Sequence, residues 1–352
     1  MTTDIPVLNI TPGIDNGVLG DVASGVFERH EFLNNSPGIA IPVLIVLTAA
    51  CVVGTFGNVL ILMSVATTKE LQNVESIFIV NLACSDLYVT MVADPMSILA
   101  KIEGEEFFNS IPGLCRTIGS LCTISCISSL MTIAGMSFNR YVYICHHSIY
   151  KVIFSQRACV AICGGFYCVG TFLVLLNLAG YGDHEFDRKS LECIWDRMAT
   201  YPFTVVFSVA LVWVPVCVTA FSYLRIYAFV FMSRRRIQQQ TSTTQQSRGR
   251  AHQRSTSCHL AKTLFIVYAV FTICWAPYAL LIVVDSKDEF PHEIHLYITV
   301  FAHLHPSINW LVYYLTNRKF SSAFYRILGL SRCKLRKRFI EMSVTESKPA
   351  TN

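Results

Sequence analysis

Asp86, Asp94 and Arg140 are ionisable side chains set in stretches of sequence that are otherwise apolar. At membrane depth such a group is expensive, and it persists where it has a partner, a proton or a task. A neutral Asp86 hydrogen-bonded to Asn58 would meet that demand without further chemistry. Asp94 lies near the boundary of an apolar segment, where it either serves a ligand or faces water. His292, His295, His303 and His305 come closest to a metal-binding group, but their spacing composes no clear catalytic site. A transporter, channel or membrane enzyme should show paired ionisable residues along a pathway. The chain therefore reads as a non-enzyme with a few buried charges.

The elements that position these residues follow from composition. Of 352 residues, 53% are hydrophobic and 14% charged, against about 25% charged in soluble domains. The apolar residues gather into seven runs, at 40–66, 74–100, 112–144, 157–180, 200–232, 259–284 and 293–316. Each can cross a hydrocarbon core of roughly 30 Å as a tilted helix. Neither the alternating short segments of a barrel nor an internal repeat is visible. The expected fold is an all-α membrane protein, a seven-transmembrane-helix bundle with a short amphipathic helix after the seventh. Residues 1–39 are expected to form an unstructured, glycosylated outer tail, 40–328 the membrane domain and 329–352 a basic cytoplasmic tail.

Orientation follows from Lys and Arg. With the N-terminus outside, only Arg29, Lys101, Arg116, Arg188, Lys189, Arg197 and Lys287 fall outside, and the other 21 of 28 fall inside. The sequons at Asn9 and Asn34 agree, since they are useful only on the outer side. Of fourteen cysteines, Cys115 and Cys193 alone land on that face, the arrangement expected for one disulfide in an oxidising compartment. The chain is expected in the plasma membrane as a multi-pass protein. No nucleic-acid partner is expected.

The polar residues within the runs form a pattern. Helix one carries Gly57-Asn58, helix two Asn81-Leu82-Ala83-Cys84-Ser85-Asp86, and helix three ends in Asn139-Arg140-Tyr141. Helix five has Pro215 and Tyr223, helix six Phe271 and Cys274-Trp275-Ala276-Pro277, and helix seven Asn309 and Tyr313. Cys115 precedes Arg140 by 25 residues, roughly 37 Å of helix and one membrane crossing. This constellation resembles the rhodopsin-like G-protein-coupled receptors over about 40–328. Tyr143-Ile144-Cys145-His146 and Ser222-Tyr223-Leu224-Arg225-Ile226-Tyr227 look like the melatonin-receptor branch.

The resemblance implies a receptor that passes an extracellular small-molecule signal to a heterotrimeric G protein of the inhibitory class, and then to arrestin. A seven-helix ligand-binding or scaffold protein that does not couple to G protein is the alternative. Ligand contacts are expected from Asp94, Cys122, Asn177, Trp195, Arg197, Trp275 and His303. Arg197 stands where melatonin receptors have Gln, which separates the lineage from the ligand. Cys122 replaces the helix-three Asp of aminergic receptors, and His303 the retinal-binding Lys of opsins. Asn139, Arg140, Tyr141, Tyr223, Phe271, Pro277, Asn309 and Tyr313 would form the switch, with helix six bending at Pro277. Asp86, Ser129 and Asn309 would hold an allosteric sodium ion; no other cofactor is expected.

Three departures stand out. Asn139 precedes Arg140 where much of the family has an acid, and Ser257 stands where a second acid restrains that arginine. A hydrogen bond to Asn139 would be weaker than a charge-assisted one, so an easily activated receptor is expected. Trp310 follows Asn309 where the family places Pro, and Pro306 would supply the bend. His305 stands where the family has Asn. On the inner side, the loop 233–258 is expected to be disordered. Phosphorylation at Thr241–Thr244 or Ser255–Ser257 would add negative charge there. Residues 317–328 should lie amphipathically on lipid, and Cys333 is either palmitoylated or a free thiol.

Overall fold

A computed structural model of the chain describes residues 27–239 and 245–330. Asn9, Thr241–Thr244, Cys333 and the basic tail, together with the side chains of Ser255–Ser257 and Cys258, lie outside that description.

Seven spans form the bundle. The first four are Pro37–Thr67, Val74–Ser110, Leu114–Cys145 and Gln156–Tyr181. The fifth covers 201–239, the sixth is Gln245–Val284, and the seventh is split into His292–His303 and His305–Thr316. Local chemistry starts several of them. Asn73 caps the second span by accepting from the Glu75 and Ser76 amides at 3.0 and 3.1 Å, and Ser155 caps the fourth at 3.2 Å; these donors would otherwise be unpaired. Six described helices are long and apolar enough to cross a membrane. The seventh is divided into two pieces of 12 residues, separated at Leu304. Pro306, in the first turn of the second piece, has no N–H to continue the ladder. The helix therefore breaks at Leu304, two residues before Pro306.

The third span runs through the middle of the bundle, against the second, fourth, fifth and sixth. Its buried face is rich in small hydroxyl residues, Ser125, Ser128, Ser129, Thr132 and Ser137. Small residues let helices approach closely where lipid offers no hydrophobic drive between them. After the seventh span, Asn317 caps the helix Arg318–Ile327 by accepting from the Lys319 amide, and Phe320, Ala323 and Phe324 are buried on one face.

Three expectations need correction. The structured chain begins before residue 40: a short helix, Glu31–Asn35, precedes the first span. The His30 amide donates to Ile102 O at 2.7 Å and the Glu105 amide to Phe27 O at 2.9 Å. Gly104, at φ 73°, permits this crossing, because a Cβ there would overlap the Phe27 carbonyl. The second span continues to Ser110, so Lys101 belongs to a helix rather than a loop. The segment 233–258 is largely helical, with the fifth span reaching Gln239 and the sixth beginning at Gln245. The all-α bundle also carries a hairpin between the fourth and fifth spans. Its strands β1 (His184–Asp187) and β2 (Glu192–Trp195) pair antiparallel, Phe186 opposite Cys193. The Cys115–Cys193 disulfide ties β2 to the start of the third span.

Candidate functional site

Near the disulfide end, the third, fifth, sixth and seventh spans and β2 enclose an apolar cavity of about 70 Å³. Cys122, Trp195, Phe207, Trp275, Tyr278 and His303 are among its walls. Four of the seven expected ligand residues, Cys122, Trp195, Trp275 and His303, therefore meet in one place. Trp195 is buried, with its ring centroid 4.0 Å from that of Phe207. It also borders a wider, polar mouth of about 770 Å³ that carries Arg116, Glu185, Asp187, Arg197 and Asp288. The inner cavity is small beside the 300–1,000 Å³ typical of ligand pockets, roughly. An occupant the size of an indole must push its walls apart.

The other three expected residues sit elsewhere. Asp94 is fully buried and its Oδ1 lies 2.7 Å from His303 Nδ1, so the water-facing reading is overturned. Asn177 lies on a wider turn at the end of the fourth span, buried beside Trp195 rather than in the cavity wall. Neither atom of its amide has a hydrogen-bond partner among the described residues. Arg197 pairs with Asp288 and lies 3.8 Å from Asp285, at the link between the sixth and seventh spans. It borders the mouth only. Burial would raise the Asp288 carboxyl, but bonds from Lys189 and Arg197 outweigh it and hold that carboxyl below its ordinary range.

Sequence reasoning missed two charged residues here. Lys101 and Glu192 form a buried ion pair at 3.5 Å, and Ser97 Oγ donates to Glu192 Oε2 at 2.6 Å. Lys101 Nζ also donates to Ser97 Oγ at 2.8 Å and Leu191 O at 3.2 Å. A signal existed: Asp94, Ser97 and Lys101 are spaced as one polar stripe on a helix face. His184 of β1 was also missed. It packs into the third span, its Nε2 3.1 Å from Thr123 Oγ1, and burial pushes its pKa down to about 4. It is neutral at physiological pH.

Below the cavity the contacts continue without a break. Trp275 Nε1 donates to His305 Nδ1 at 3.0 Å, and Phe271 packs against both rings. His305 Nε2 lies 3.6 Å from Asp86 Oδ1. Asp86 accepts from Ser129 Oγ at 3.0 Å and Asn309 Nδ2 at 2.7 Å. The Asn58–Asp86 bond considered from sequence is not made: Asn58 Nδ2 donates to Gly54 O and Pro306 O, both at 3.0 Å. Tyr313, one turn further, is buried with its hydroxyl 3.8 Å from Met136 Sδ. Tyr223 packs on Tyr268 and Phe265.

At the far end the sequence reading of Arg140 is corrected. Arg140 is 4% exposed and pairs with Glu75 of the second span. Asn139 does not restrain it; its amide donates to Tyr150 Oη at 3.3 Å. Tyr141 Oη lies 2.9 Å from His146 Nε2. The acid that the neighbouring positions lack is supplied from 65 residues away.

Comparison with known proteins agrees with this arrangement. Residues 57–313 match the family described as 7 transmembrane receptor (rhodopsin family). Melatonin receptor type 1B-B of Danio rerio is 30% identical over 299 residues, 83% of this chain and 83% of that protein. Melatonin receptor type 1B of Homo sapiens is 28% identical over 298 residues, 81% of this chain and 77% of that protein. Squid rhodopsin shares the fold with a TM-score of 0.75 at 18% identity, over 93% of this chain and 98% of that one.

Proposed function

Since the chain belongs to the rhodopsin family of 7 transmembrane receptors, we propose that a small, largely apolar molecule acts as its agonist in the cavity above Trp275. The protein is a multi-pass membrane receptor for a small-molecule signal. The names of its relatives suggest an indole as the apolar body. One observation carries the reading: Trp275 lines the cavity and also donates to His305, which faces Asp86. A ligand that expands the cavity must move Trp275, and that movement reaches the polar centre of the bundle. A two-state element biased from both ends is what a receptor requires.

In this reading the hairpin end faces outward at the plasma membrane. Asn34, exposed on the first short helix, is available there for glycosylation. The Arg140 end meets a heterotrimeric G protein of the inhibitory class, then arrestin, and the helix Arg318–Ile327 lies on lipid. G-protein activation in cells exposed to indoleamines tests this, with Arg140→Ala at matched surface expression as the comparison. A ligand-raised signal lost in Arg140→Ala is expected; a signal identical in both would sink the coupling role. Trp275→Phe keeps the ring and removes the donated bond. It should weaken agonist potency by up to about tenfold, the equivalent of one net hydrogen bond. Unchanged potency would show that the indole nitrogen takes no part.

The polar centre also fits a sodium ion. Asp86, Ser129 and the Asn309 side chain offer hard oxygen donors, and Asn309 Oδ1 is buried with no partner among the described residues. Bound there, the cation would neutralise Asp86 and favour the closed arrangement. Agonist affinity is then expected to fall as sodium replaces a bulky organic cation. In Asp86→Asn that dependence should vanish; its persistence would exclude this site.

A further inference from the structure

We infer that Cys122 and Cys126 of the third span form a binding site for a soft monovalent metal ion, Cu(I), in the wall of the apolar cavity. The two residues stand four apart and so share one face of the helix. Both are half-buried, and both line the cavity together with Phe207, Trp275 and Tyr278. Their sulfurs lie 4.0 Å from each other. Thr132 and Ser137 of the same span turn their hydroxyls back to the carbonyls of Ser128 and Ile133. The two thiols instead meet each other beside the cavity.

Geometry keeps this pair reduced and suits it to an ion. A disulfide needs Cβ atoms about 3.5–4.5 Å apart, whereas residues one helical turn apart hold them at roughly 5–6 Å. The pair therefore persists as two thiols although it lies toward the disulfide end of the bundle. A metal–thiolate bond is about 2.3 Å long, so one ion between sulfurs 4.0 Å apart reaches both after a small side-chain rotation. Among the described residues, no His, Asp or Glu donor atom lies within 4.8 Å of both sulfurs. Two sulfurs alone do not complete the tetrahedron that Zn(II) takes, and Ca(II) or Mg(II) requires oxygens. Soft sulfur donors select Cu(I), for which two ligands suffice. Charge is conserved on entry. One thiol loses its proton to water and becomes the thiolate that neutralises Cu(I), while a sulfur lone pair of the other supplies the second bond. The wall gains no net charge, which would be costly in an apolar enclosure. Trp195 borders both this cavity and the wider polar mouth, so the ion has a path from the mouth. The rings around the pair keep water away from the ion once it is bound.

The site does not depend on which molecule acts as agonist or where it sits. The full chain in lipid nanodiscs would be titrated anaerobically with Cu(I) held by bicinchoninate. Ascorbate would serve as the reductant, since it spares the Cys115–Cys193 disulfide. The unmodified receptor is expected to take one equivalent of Cu(I) that depends on both cysteines, with sulfur-to-copper charge-transfer absorption rising in step. Cys122→Ser and Cys126→Ser should each weaken that uptake at least about tenfold, because one sulfur does not hold the ion alone. Cys122→Ala and Cys126→Ala repeat the test without adding a hydroxyl to the apolar wall, and melting temperatures separate loss of the site from loss of the fold. Cys159 and Cys163 of the fourth span have the same spacing but are packed in the hydrophobic core. Cys159→Ala/Cys163→Ala should therefore leave the uptake unchanged. Uptake that survives the Cys122 and Cys126 variants, that disappears with the core pair, or that Zn(II) matches would overturn the site. So would an unmodified chain that takes no Cu(I) from the chelator.

Discussion

Glu75→Gln is expected to raise ligand-independent G-protein signalling about tenfold at matched surface expression. The reason lies in the burial of Arg140. At 4% exposure, Arg140 is beyond the reach of any protein docking at that end of the bundle until the helices around it separate. Its pair with Glu75 links the third span to the second and has to open in that separation. A charge-assisted bond contributes about 1.5–3 kcal/mol, and about 1.4 kcal/mol is tenfold in an equilibrium. Replacing the carboxylate by an amide keeps the side chain's shape and removes the charge. The closed arrangement loses that contribution and the open one does not. Glu75 also lies in the first turn of its helix, where an acid favours the dipole by about 0.3–1 kcal/mol, so a small general loss of stability accompanies the effect. Asn139→Asp, by contrast, adds a second acid beside an arginine that already has one, and its effect should be the smaller. Basal signalling that is the same in the unmodified receptor and in Glu75→Gln would mean that the pair survives activation.

The contrast between Asn139 and Glu75 shows what the sequence could disclose. Membrane spans were legible because lipid imposes length and apolarity on each one separately. The disulfide was legible because the sequence leaves Cys115 and Cys193 as the two cysteines outside the apolar runs on one expected face. Cys122, Trp195, Trp275 and His303 could be gathered by resemblance, since each has a fixed depth in its own element. Pairings between helices were not legible. Arg140 with Glu75, Lys101 with Glu192 and Arg197 with Asp288 each join elements far apart in the chain, and in each case sequence offered several partners of the right charge. Lys101 and Arg197 were accordingly read as a loop residue and a ligand contact. Both hold the hairpin side of the bundle together. The hairpin itself was hidden because its strands are four residues each, too short for alternation to separate them from a loop. The seventh span shows the opposite case, since Pro306 lies two residues beyond its break at Leu304.

Gly57→Ala is expected to lower the melting temperature of the purified receptor by roughly 3–10 °C and to cut its surface expression, although Gly57 touches neither cavity nor switch. A Cβ built on Gly57 would overlap the Trp310 ring. That ring cannot withdraw, because Phe56 packs edge-on against it at 6.2 Å and Phe324 at 6.5 Å closes another side. The first span must move instead. One turn earlier Gly54 admits the seventh span just as closely, with Ser307 Oγ 2.6 Å from the place of a Cβ. Ser307 Oγ in turn donates to Ala50 O at 2.6 Å, so displacement of the helix costs this bond and the Asn58 bond to Pro306 as well. Overpacking alone costs about 1–3 kcal/mol. The clash exists because Trp310 stands where the family has Pro, and glycine is what accommodates the larger ring. Trp310→Leu should therefore be destabilising in the unmodified receptor and restorative when combined with Gly57→Ala, a sign reversal that independent sites do not show. A melting temperature unmoved by Gly57→Ala, or a double variant no more stable than Gly57→Ala alone, would show that the first and seventh spans do not meet through this ring.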